Sequence, residues 1–300
     1  MDLFTANILS WYNKNKKQFP WRDINNPYEI WVSEIMLQQT QVQTVIPFYN
    51  RWVLKFPSIK DVAKATDDEL FKYWEGLGYY QRAQNLRSAC IQILNNYDGV
   101  IPKHKKTLME LKGIGDYTSS AIASIAFNKA HYVIDGNVKR VMSRLLCLSD
   151  FLSNSMNKVD NFLSHHISHK SPGDFNQALM DLGRYICTPK NPKCLDCPIS
   201  NYCSAYLDNK TDRYPQKNYK KKILPHYDIG VGIIWSNNKI LITKRKKEGL
   251  LGGLWEFPGG KINKNETHKE CIKREIKEEL NIAVNISNFI VKVNHKYSHF

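Results

Sequence analysis

The 300-residue chain is 42% apolar and carries 43 Lys and Arg against 28 Asp and Glu, a formal net charge of +15. Its length and apolar content favour two globular domains, and its polar N-terminus and lack of any 18-residue apolar run argue against export and membrane insertion. We therefore expect a cytoplasmic protein whose positive charge favours a polyanionic partner, above all nucleic acid.

The N-terminal part shows helical spacing of apolar residues. A first helix is predicted over residues 3 to 18 and is ended by the segment Phe19–Arg22. From Pro27 a second apolar pattern surrounds a single acid, Glu34. Such a glutamate is either a structural acid held by hydrogen bonds or an acid whose raised pKa suits proton donation near neutral pH. Without further context the structural role is favoured.

Two short polar or glycine-rich breaks follow. Gln38, Gln39 and Thr40 predict a loop that is either a solvated turn or a segment whose amides probe base edges in a DNA groove. Residues 58 to 98 predict two or three further helices, interrupted by a glycine break that contains Leu77 and precedes Tyr79. A tyrosine beside glycine is more often an ordinary residue at the edge of a core.

A Gly-x-Gly turn, Gly113 and Gly115, lies between two helical patterns and predicts a hairpin with left-handed backbone angles. Because a helix follows at once, its N–H groups could hold a phosphate without reading sequence, although a plain tight turn is the commoner case. Further on, Asp135 and Asn137 precede another helix, and either could be an N-cap that stabilises it by about 1 kcal/mol.

Four of the seven cysteines follow the spacing C-x6-C-x2-C-x5-C, at Cys187, Cys194, Cys197 and Cys203, after a helical stretch over residues 155 to 186. A reducing compartment argues against disulfides, and proline-rich loops cannot pack a core unaided. Four thiolates so close together therefore need a shared metal or cluster. Zinc is the chemical alternative to iron–sulfur.

The C-terminal part changes character. Residues 208 to 225 form a basic linker of net charge +4, and from residue 226 a period of two predicts a hairpin that turns at Asn237 and Asn238. A later segment resembles a Nudix box, in which Glu275, Glu278 and Glu279 lie on one side of a helix and bind a divalent cation. Asn281 stands where that box usually has glycine.

Several of these motifs carry a family resemblance. The hairpin with its downstream Asp resembles the helix-hairpin-helix DNA glycosylase superfamily over roughly residues 1 to 205, and SEIMLQQTQV closely resembles the signature of MutY-type adenine DNA glycosylases. The cysteine spacing resembles the [4Fe–4S] loop of these enzymes and of endonuclease III. This implies a mostly helical glycosylase region over residues 1–207, the linker over 208–225, and a partial, α+β Nudix-like domain over 226–300. We expect that domain to be truncated, since the chain stops before a Nudix sheet could close.

The resemblance also implies roles for individual residues. Glu34 is the expected general acid, Asp135 the anion that stabilises the sugar cation, Asn137 the residue that positions Asp135, and Tyr117 a further stabiliser of the same intermediate. Tyr79 is the expected wedge in the base stack, and a terminal loop resembles the one that touches 8-oxoguanine. The full set of expected DNA contacts is Gln38, Gln39, Thr40, Leu77, Tyr79, Gly113, Gly115, Ser298 and His299.

The implied function is a monofunctional adenine glycosylase that acts as a monomer on double-stranded DNA containing A:8-oxoguanine or A:G mispairs, and that is associated with the nucleoid when bound. One rival is an endonuclease III type glycosylase/lyase, which carries a Schiff-base Lys where this chain has Tyr117. Another is a Nudix pyrophosphatase acting on damaged nucleotides. A catalytically dead DNA-binding protein is disfavoured because Glu34 and Asp135 are both present.

Overall fold

The chain divides into two units, Met1–Asn218 and Tyr219–Phe300, in a computed structural model that describes residues 2–216, 225–246, 249 and 251–295. The first unit is built from helices, and the second from short strands and one helix. This confirms the predicted class, a mostly helical region followed by a smaller α+β region. No helix in the described ranges is long and apolar enough to cross a membrane.

Twelve α-helices are described in the first unit, and most begin at residues that suit a cap. Asp2 caps the first helix by accepting a hydrogen bond from Thr5 N at 3.0 Å, and Asn26 caps the second by accepting from Tyr28 N. The helices are α1 Leu3–Asn15, α2 Pro27–Leu37, α3 Val42–Lys55, α4 Ile59–Lys64, α5 Asp67–Trp74, α6 Gln81–Asn96, α7 Lys105–Met109, α8 Asp116–Ile125, α9 Gly136–Leu145, α10 Ser153–His166, α11 Pro172–Tyr185 and α12 Ser204–Leu207. The predicted stretch over 58 to 98 thus holds three helices, and that over 155 to 186 holds two.

Two apolar cores organise these helices. The larger is formed by α2 to α8 and contains Trp31, Trp52 and Trp74, each fully buried. The smaller is formed by α1 and α9 to α11, and three of the four clustered cysteines pack against it. Helices α2 and α8 belong to the larger core, and α9 and α11 to the smaller core. The residues between these helices therefore lie at the boundary between two closely packed cores.

The second unit contains six short strands and one helix among its described residues. The strands are β1 Ile229–Val231, β2 Trp235–Ser236, β3 Lys239–Ile240, β4 Thr243–Lys244, β5 Trp255–Glu256 and β6 Gly259–Lys261, and the helix is α13 His268–Leu280. They pair antiparallel as β1 with β6, β2 with β3 and β4 with β5.

Asparagines support the turns of this unit. Asn237 and Asn238 join β2 to β3 with φ of 49° and 58°, the left-handed angles of a tight hairpin turn, which confirms the hairpin predicted there. Asn281 ends α13 in the left-handed conformation, with φ 55° and ψ 30°. Asparagine tolerates this conformation nearly as well as glycine, so the departure from the Nudix box costs the helix end little.

Candidate active site

A cavity of about 600 Å³ lies in the first unit and is lined by residues of α2, α8 and α11 and by the start of α9. Three of the four residues predicted to be catalytic, Glu34, Tyr117 and Asp135, line it together, although they are up to about a hundred residues apart in the chain. Its volume lies within the range of small-molecule pockets. The fourth residue, Asn137, lies behind Asp135.

Glu34 is 6% exposed on α2 and accepts a hydrogen bond on Oε2 from the Tyr117 hydroxyl at 3.1 Å. Burial raises the pKa of Glu34 to about 7, with a further rise from the charge of Asp135, against lowering by the Tyr117 hydrogen bond and by two nearby arginines. The structure therefore combines both alternatives for this residue, since a hydrogen-bonded, buried acid also has the pKa of a proton donor near neutral pH.

Asp135 is held in one orientation by two hydrogen bonds. Its Oδ1 accepts from Val138 N at 2.7 Å as the N-cap of α9, and its Oδ2 accepts from Asn137 Nδ2 at 2.9 Å. The side-chain amide of Asn137 is in turn held by Arg140, whose Nη2 donates to Asn137 Oδ1 at 2.9 Å. Of the two capping candidates, Asp135 is therefore the cap, and Asn137 supports it.

The same arginine connects this region to the cysteine loop. Arg140 Nε donates to the carbonyl oxygen of Cys187 at 2.7 Å, and its Nη2 also contacts the Gly183 carbonyl. Helix α11 approaches the start of α9 so closely that a Cβ on Gly183 would lie 2.7 Å from Asn137 Cβ. An unbroken series of hydrogen bonds thus runs from Cys187 through Arg140 and Asn137 to Asp135.

A buried ion pair that was not predicted also lines the cavity. Arg22 binds Asp181 through two hydrogen bonds of 2.7 and 2.8 Å, and their side chains are 6% and 2% exposed. Arg184 Nη1 lies 3.9 Å from the same carboxylate. The sequence carries little signal for this pair, because its members are 159 residues apart and each stands in an ordinary stretch of chain.

The predicted hairpin is present, but its two glycines differ. Gly113 has φ +78°, and a Cβ there would lie 2.6 Å from Asn85 Cβ, so glycine is required. Gly115 has φ −94° and ψ −172°, which is extended backbone, so the expectation of a left-handed angle at this position is wrong. A Cβ on Gly115 would have no atom from elsewhere in the chain within 4 Å, so the backbone here is not covered by neighbouring side chains. Gly115 therefore serves as the N-cap of α8 and keeps the backbone accessible.

Of the predicted polar loop, Gln38 and Gln39 line the cavity and Thr40 lies beside them. Gln38 Nε2 donates to Thr118 Oγ1 at 3.1 Å, whereas the exposed Gln39 has a left-handed backbone with φ 56°. Tyr79 likewise has φ 49° and is 40% exposed. Leu77 is only 6% exposed and packs in the larger core, so its side chain does not face solvent in this conformation. The DNA-contact roles of these residues remain predictions.

The four predicted ligand cysteines surround a second, small cavity together with Arg144. Burial, together with the charges of the other three cysteines, raises the pKa of the Cys197 thiol to about 12, against lowering by a backbone hydrogen bond from Ile199. Four thiolates here therefore need a strongly cationic partner. Arg144 Nη1 also donates to Cys187 Sγ at 3.2 Å. Among the described residues, no three His, Cys, Asp or Glu side chains lie close enough to share one metal ion. A four-iron cluster does not require that three side chains meet at one ion, because each of its irons takes one thiolate.

The Nudix-like carboxylates lie on α13, and two of the three are bound by one arginine. Arg274 Nη1 lies 2.9 Å from Glu275 and 3.3 Å from Glu278. The Glu275 carboxylate packs directly on Gly260, where a Cβ would clash with it. Like-charged neighbours and burial raise the pKa of Glu279, burial being the larger cause. The predicted lesion contacts Ser298 and His299 lie outside the described residues.

Comparison with known proteins assigns each of these regions. The model of the HhH-GPD superfamily of base excision DNA repair proteins matches residues 32–165, the iron–sulfur binding domain of endonuclease III matches residues 187–203, and the NUDIX domain matches residues 230–300. The segment with the four cysteines is thus an iron–sulfur binding domain, as its spacing predicted, and the cofactor is a [4Fe–4S] cluster.

Relatives that match over most of this chain are named adenine DNA glycosylase. An adenine DNA glycosylase of Arabidopsis thaliana is 36% identical over 342 residues, covering 95% of this chain and 53% of the plant protein. Another, from Buchnera aphidicola (subsp. Acyrthosiphon pisum), is also 36% identical and covers 99% of this chain and 84% of that protein. The structure of a thermostable thymine-DNA glycosylase is similar with a TM-score of 0.64 at 31% identity, over 69% of this chain and 96% of that chain. The chain therefore spans about half the length of the plant relative and most of the Buchnera one, and it belongs to the adenine DNA glycosylase family.

Proposed function

We propose that the protein excises adenine from double-stranded DNA in which adenine is mispaired with 8-oxoguanine or guanine, without cleaving the strand. The observation that carries the proposal is the cavity in which a buried acid with a pKa of about 7, Glu34, faces the same space as a second carboxylate, Asp135. Glycoside hydrolysis needs such a pair, one group to protonate the leaving group and one to stabilise the cation.

The cavity suits an extruded purine. An enzyme that acts on a base must take it out of the stack and read its edge in a closed pocket. Adenine presents an amino donor and ring-nitrogen acceptors, and the cavity offers the Arg22 guanidinium as donor and the Asp181 carboxylate as acceptor. Because these two groups hold each other, they face the base as a fixed donor–acceptor pair. We therefore add Arg22 and Asp181 to the residues proposed to bind the base.

Departure of the base is assisted by Glu34. With its pKa near 7, the carboxyl group is protonated often enough at neutral pH to donate to a ring nitrogen of adenine, N7 in the proposed mechanism. Adenine then leaves as a neutral base, and the electrons of the glycosidic bond leave with it. The Tyr117 hydroxyl, whose own pKa is raised well above its usual value by burial and by the two carboxylates, stays protonated and holds the Glu34 carboxylate in place.

The sugar cation left behind is stabilised by Asp135. Val138 N and Asn137 Nδ2 each donate a hydrogen bond to one of its two oxygens. The carboxylate is therefore already oriented when positive charge develops on the sugar. Asp135 acts either through its charge or through a transient bond to the sugar carbon, and attack by water then gives the abasic product.

Strand cleavage is not part of this proposal. A glycosylase/lyase forms a Schiff base between a lysine and the opened sugar. The described residues that line the cavity include no lysine, and Tyr117 occupies the position where the rival subfamily carries one. A phenol cannot form that adduct, which supports simple hydrolysis over the endonuclease III type of reaction.

DNA is gripped by groups around this cavity. The open backbone at Gly115, at the start of α8, offers N–H groups to a phosphate, and the net charge of +15 supplies sequence-independent attraction. The exposed Gln39 and Tyr79 are proposed to enter the duplex at the extruded adenine, where the open stack must be filled. In the second unit, Ser298 and His299 are proposed to recognise 8-oxoguanine.

The thiolates of Cys187, Cys194, Cys197 and Cys203 would hold the cluster. It would supply bonds from iron to these thiolates that tie the proline-rich loop together, and a centre able to carry one electron. The loop in turn presents the Cys187 carbonyl to Arg140, and so contributes to the position of Asp135.

The proposal is tested by single-turnover release of adenine from duplexes containing A:8-oxoguanine, A:G or A:T, with enzyme in excess. We expect fast release from the first, slower release from the second and almost none from the third. Glu34→Gln should lose about a thousandfold or more in rate while still binding the A:8-oxoguanine duplex, because protonation matters in the transition state and not in the bound ground state. Near-normal release by Glu34→Gln would remove Glu34 from the mechanism.

A further inference from the structure

Arg82, on α6, is buried at 9% exposure and contacts two separate loops with the two ends of its guanidinium. Its Nη1 lies within hydrogen-bonding distance of the carbonyl oxygens of Ile35, Met36 and Gln38, at the end of α2. Its Nη2 lies 3.2 and 3.1 Å from the carbonyl oxygens of Leu77 and Gly78. One side chain therefore joins the loop of residues 38–40 to the loop of residues 77–79.

The charge of Arg82 is balanced by backbone dipoles. Within the described part of the chain no carboxylate pairs with it, and burial lowers its pKa to about 10, so it remains charged at neutral pH. The carbonyl oxygens at the C-terminal end of α2 carry the negative end of the helix dipole and have no N–H partners of their own in the helix. The Trp74 and Tyr79 rings lie 5.4 and 5.5 Å from the guanidinium carbon.

Both loops contain a residue in an unfavourable backbone conformation. Gln39 and Tyr79 have φ of 56° and 49°, a left-handed region that residues other than glycine adopt only at a cost in free energy. Such conformations persist only where the surroundings enforce them, and they are frequent at functional sites. The contacts around these residues include those of Arg82, which binds the carbonyl oxygen of Gln38, next to Gln39, and that of Gly78, next to Tyr79. Trp74 Nε1 also donates to the Gly78 carbonyl oxygen at 3.0 Å.

We propose that Arg82 is a positioning residue that fastens the 38–40 loop to the 77–79 loop, so that Gln39 and Tyr79 enter the duplex as one unit during extrusion of the adenine. This inference rests on the proposed glycosylase function. Lysine cannot replace Arg82, because a single ammonium group does not span the two sets of carbonyl oxygens that the planar fork reaches with its two terminal nitrogens.

The experiment compares Arg82→Lys with Arg87→Lys, a control on the same helix whose arginine binds Asp67 instead of either loop. Adenine release is measured from a paired A:8-oxoguanine duplex and from adenine in an unpaired bubble, where opening costs least. We expect Arg82→Lys to slow release from the paired duplex by about tenfold relative to the bubble, and Arg87→Lys to change neither. An equal loss on both substrates, or no loss, would overturn the proposal. Thermal melting of both variants checks the fold.

Coupling between the loops is read by fluorescence of 2-aminopurine placed beside the target adenine, which brightens on unstacking. With Arg82 present, the double variant Gln39→Ala with Tyr79→Ala should lose about tenfold less of the fluorescence signal than the product of the two single losses. A coupling of this size is typical of residues that interact. With Arg82→Lys, the separate effects should multiply. Coupling that survives in Arg82→Lys would also overturn the proposal. If the wild-type protein released no adenine from any duplex, the proposed function would fall, while this coupling could still be measured.

Discussion

At the scale of single residues, the site depends on burial that changes the chemistry of ordinary side chains. Glu34 would be a plain surface acid elsewhere, but at 6% exposure its pKa rises to about 7, so a substantial fraction is protonated at neutral pH. Its environment consists of apolar residues of α2 and the Tyr117 hydroxyl, and it gives the acid a pKa suited to proton donation. The same environment lowers the stability of the folded protein, because an ionised carboxylate in this position is poorly solvated.

That cost leads to a prediction about stability. The pKa of Glu34 is raised from 4.5 to about 7, so between these pH values the native state binds more protons than the unfolded state and stability falls as pH rises. Above pH 7 the ionised carboxylate costs about 3 kcal/mol. Glu34→Gln should therefore increase the free energy of unfolding at pH 8 by an amount of this order, and little at pH 4. Denaturant unfolding at both pH values measures this, with the exposed Glu75→Gln as control. An equal effect of Glu34→Gln at both pH values would contradict the assigned pKa.

A second residue-level prediction concerns Tyr117. Because its phenol has no amine, borohydride should trap no covalent complex of the wild-type protein with DNA, and strand breaks should arise only on treatment with heat or alkali. Tyr117→Lys should gain some lyase activity and become trappable, since the new amine would face the cavity that holds the sugar. Efficient trapping of the wild-type protein would support the endonuclease III type of reaction instead.

At the scale of elements, the proposed catalytic carboxylate of Asp135 is positioned by the junction of three segments: the start of α9, helix α11 and the cysteine loop. The close contact at Gly183 brings α11 against α9, and Arg140 fills the junction with hydrogen bonds to both and to the loop. The proposed iron–sulfur ligand Cys187 and the proposed catalytic Asp135 are therefore parts of one hydrogen-bonded arrangement.

This junction predicts the effect of a conservative change. Arg140→Lys keeps the charge but cannot bind Asn137, Gly183 and Cys187 at once, so Asn137 loses its support and Asp135 becomes less well oriented. Hydrogen bonds to charged groups are worth about 1.5–3 kcal/mol, so we expect single-turnover adenine release to fall by about tenfold or more. DNA affinity and iron content should remain within about twofold, and the exposed Arg51→Lys is the control. A parallel loss of iron would instead place the defect in the cysteine loop.

The cysteine loop leads to a prediction about the metal content of the purified protein. Burial raises the pKa of the thiols of Cys194, Cys197 and Cys203, so that these groups do not ionise without a cation, and a four-iron cluster would supply this charge. Purified protein should be brown and contain about four irons per chain, and Cys197→Ser should lose both the colour and the folded loop. Elemental analysis that finds one zinc and negligible iron would contradict the assignment of the cluster.

At the scale of the whole molecule, the two units present different chemistry. The helical unit has a cavity that contains one carboxyl group of raised pKa, Glu34. The strands of the second unit pair only in twos among its described residues and leave Trp235 and Trp255 more than half exposed. Its helix, α13, has two of the three Nudix carboxylates, Glu275 and Glu278, bound to Arg274. Hydrolysis would need these groups free to hold magnesium and a supported pocket beside them.

We therefore predict recognition, not hydrolysis, by the second unit. The 300-residue protein should release no pyrophosphate from 8-oxo-dGTP in the presence of magnesium. Ser298→Ala combined with His299→Ala should instead reduce the preference for A:8-oxoguanine over A:G, with a smaller effect on the rate for A:G, because these side chains are proposed to hydrogen-bond the lesion. Magnesium-dependent turnover that is lost in Glu278→Gln would show that the Nudix residues are active.

Some features of this protein follow from the sequence by itself, because they depend on local order along the chain. The cysteine spacing, the Asn237–Asn238 turn and the helical class are of this kind, since each is set by residues a few positions apart. Gly113 and Gly115 mark the limit of such reasoning. Both fit a hairpin, but only the folded chain shows that Gly113 is left-handed and packed against Asn85, while Gly115 is extended.

The tertiary structure alone decided which distant residues meet. Arg22 and Asp181 are separated by 159 residues and form one buried pair, and Arg82 binds loops that begin 44 residues before it and 5 residues before it. Their significance lies in desolvation and in the geometry of hydrogen bonds, both of which arise only when distant segments of the chain pack together. A charged residue within a helix has the same appearance in the sequence whether it faces water or closes an active site, so these contacts could not be predicted before the fold was known.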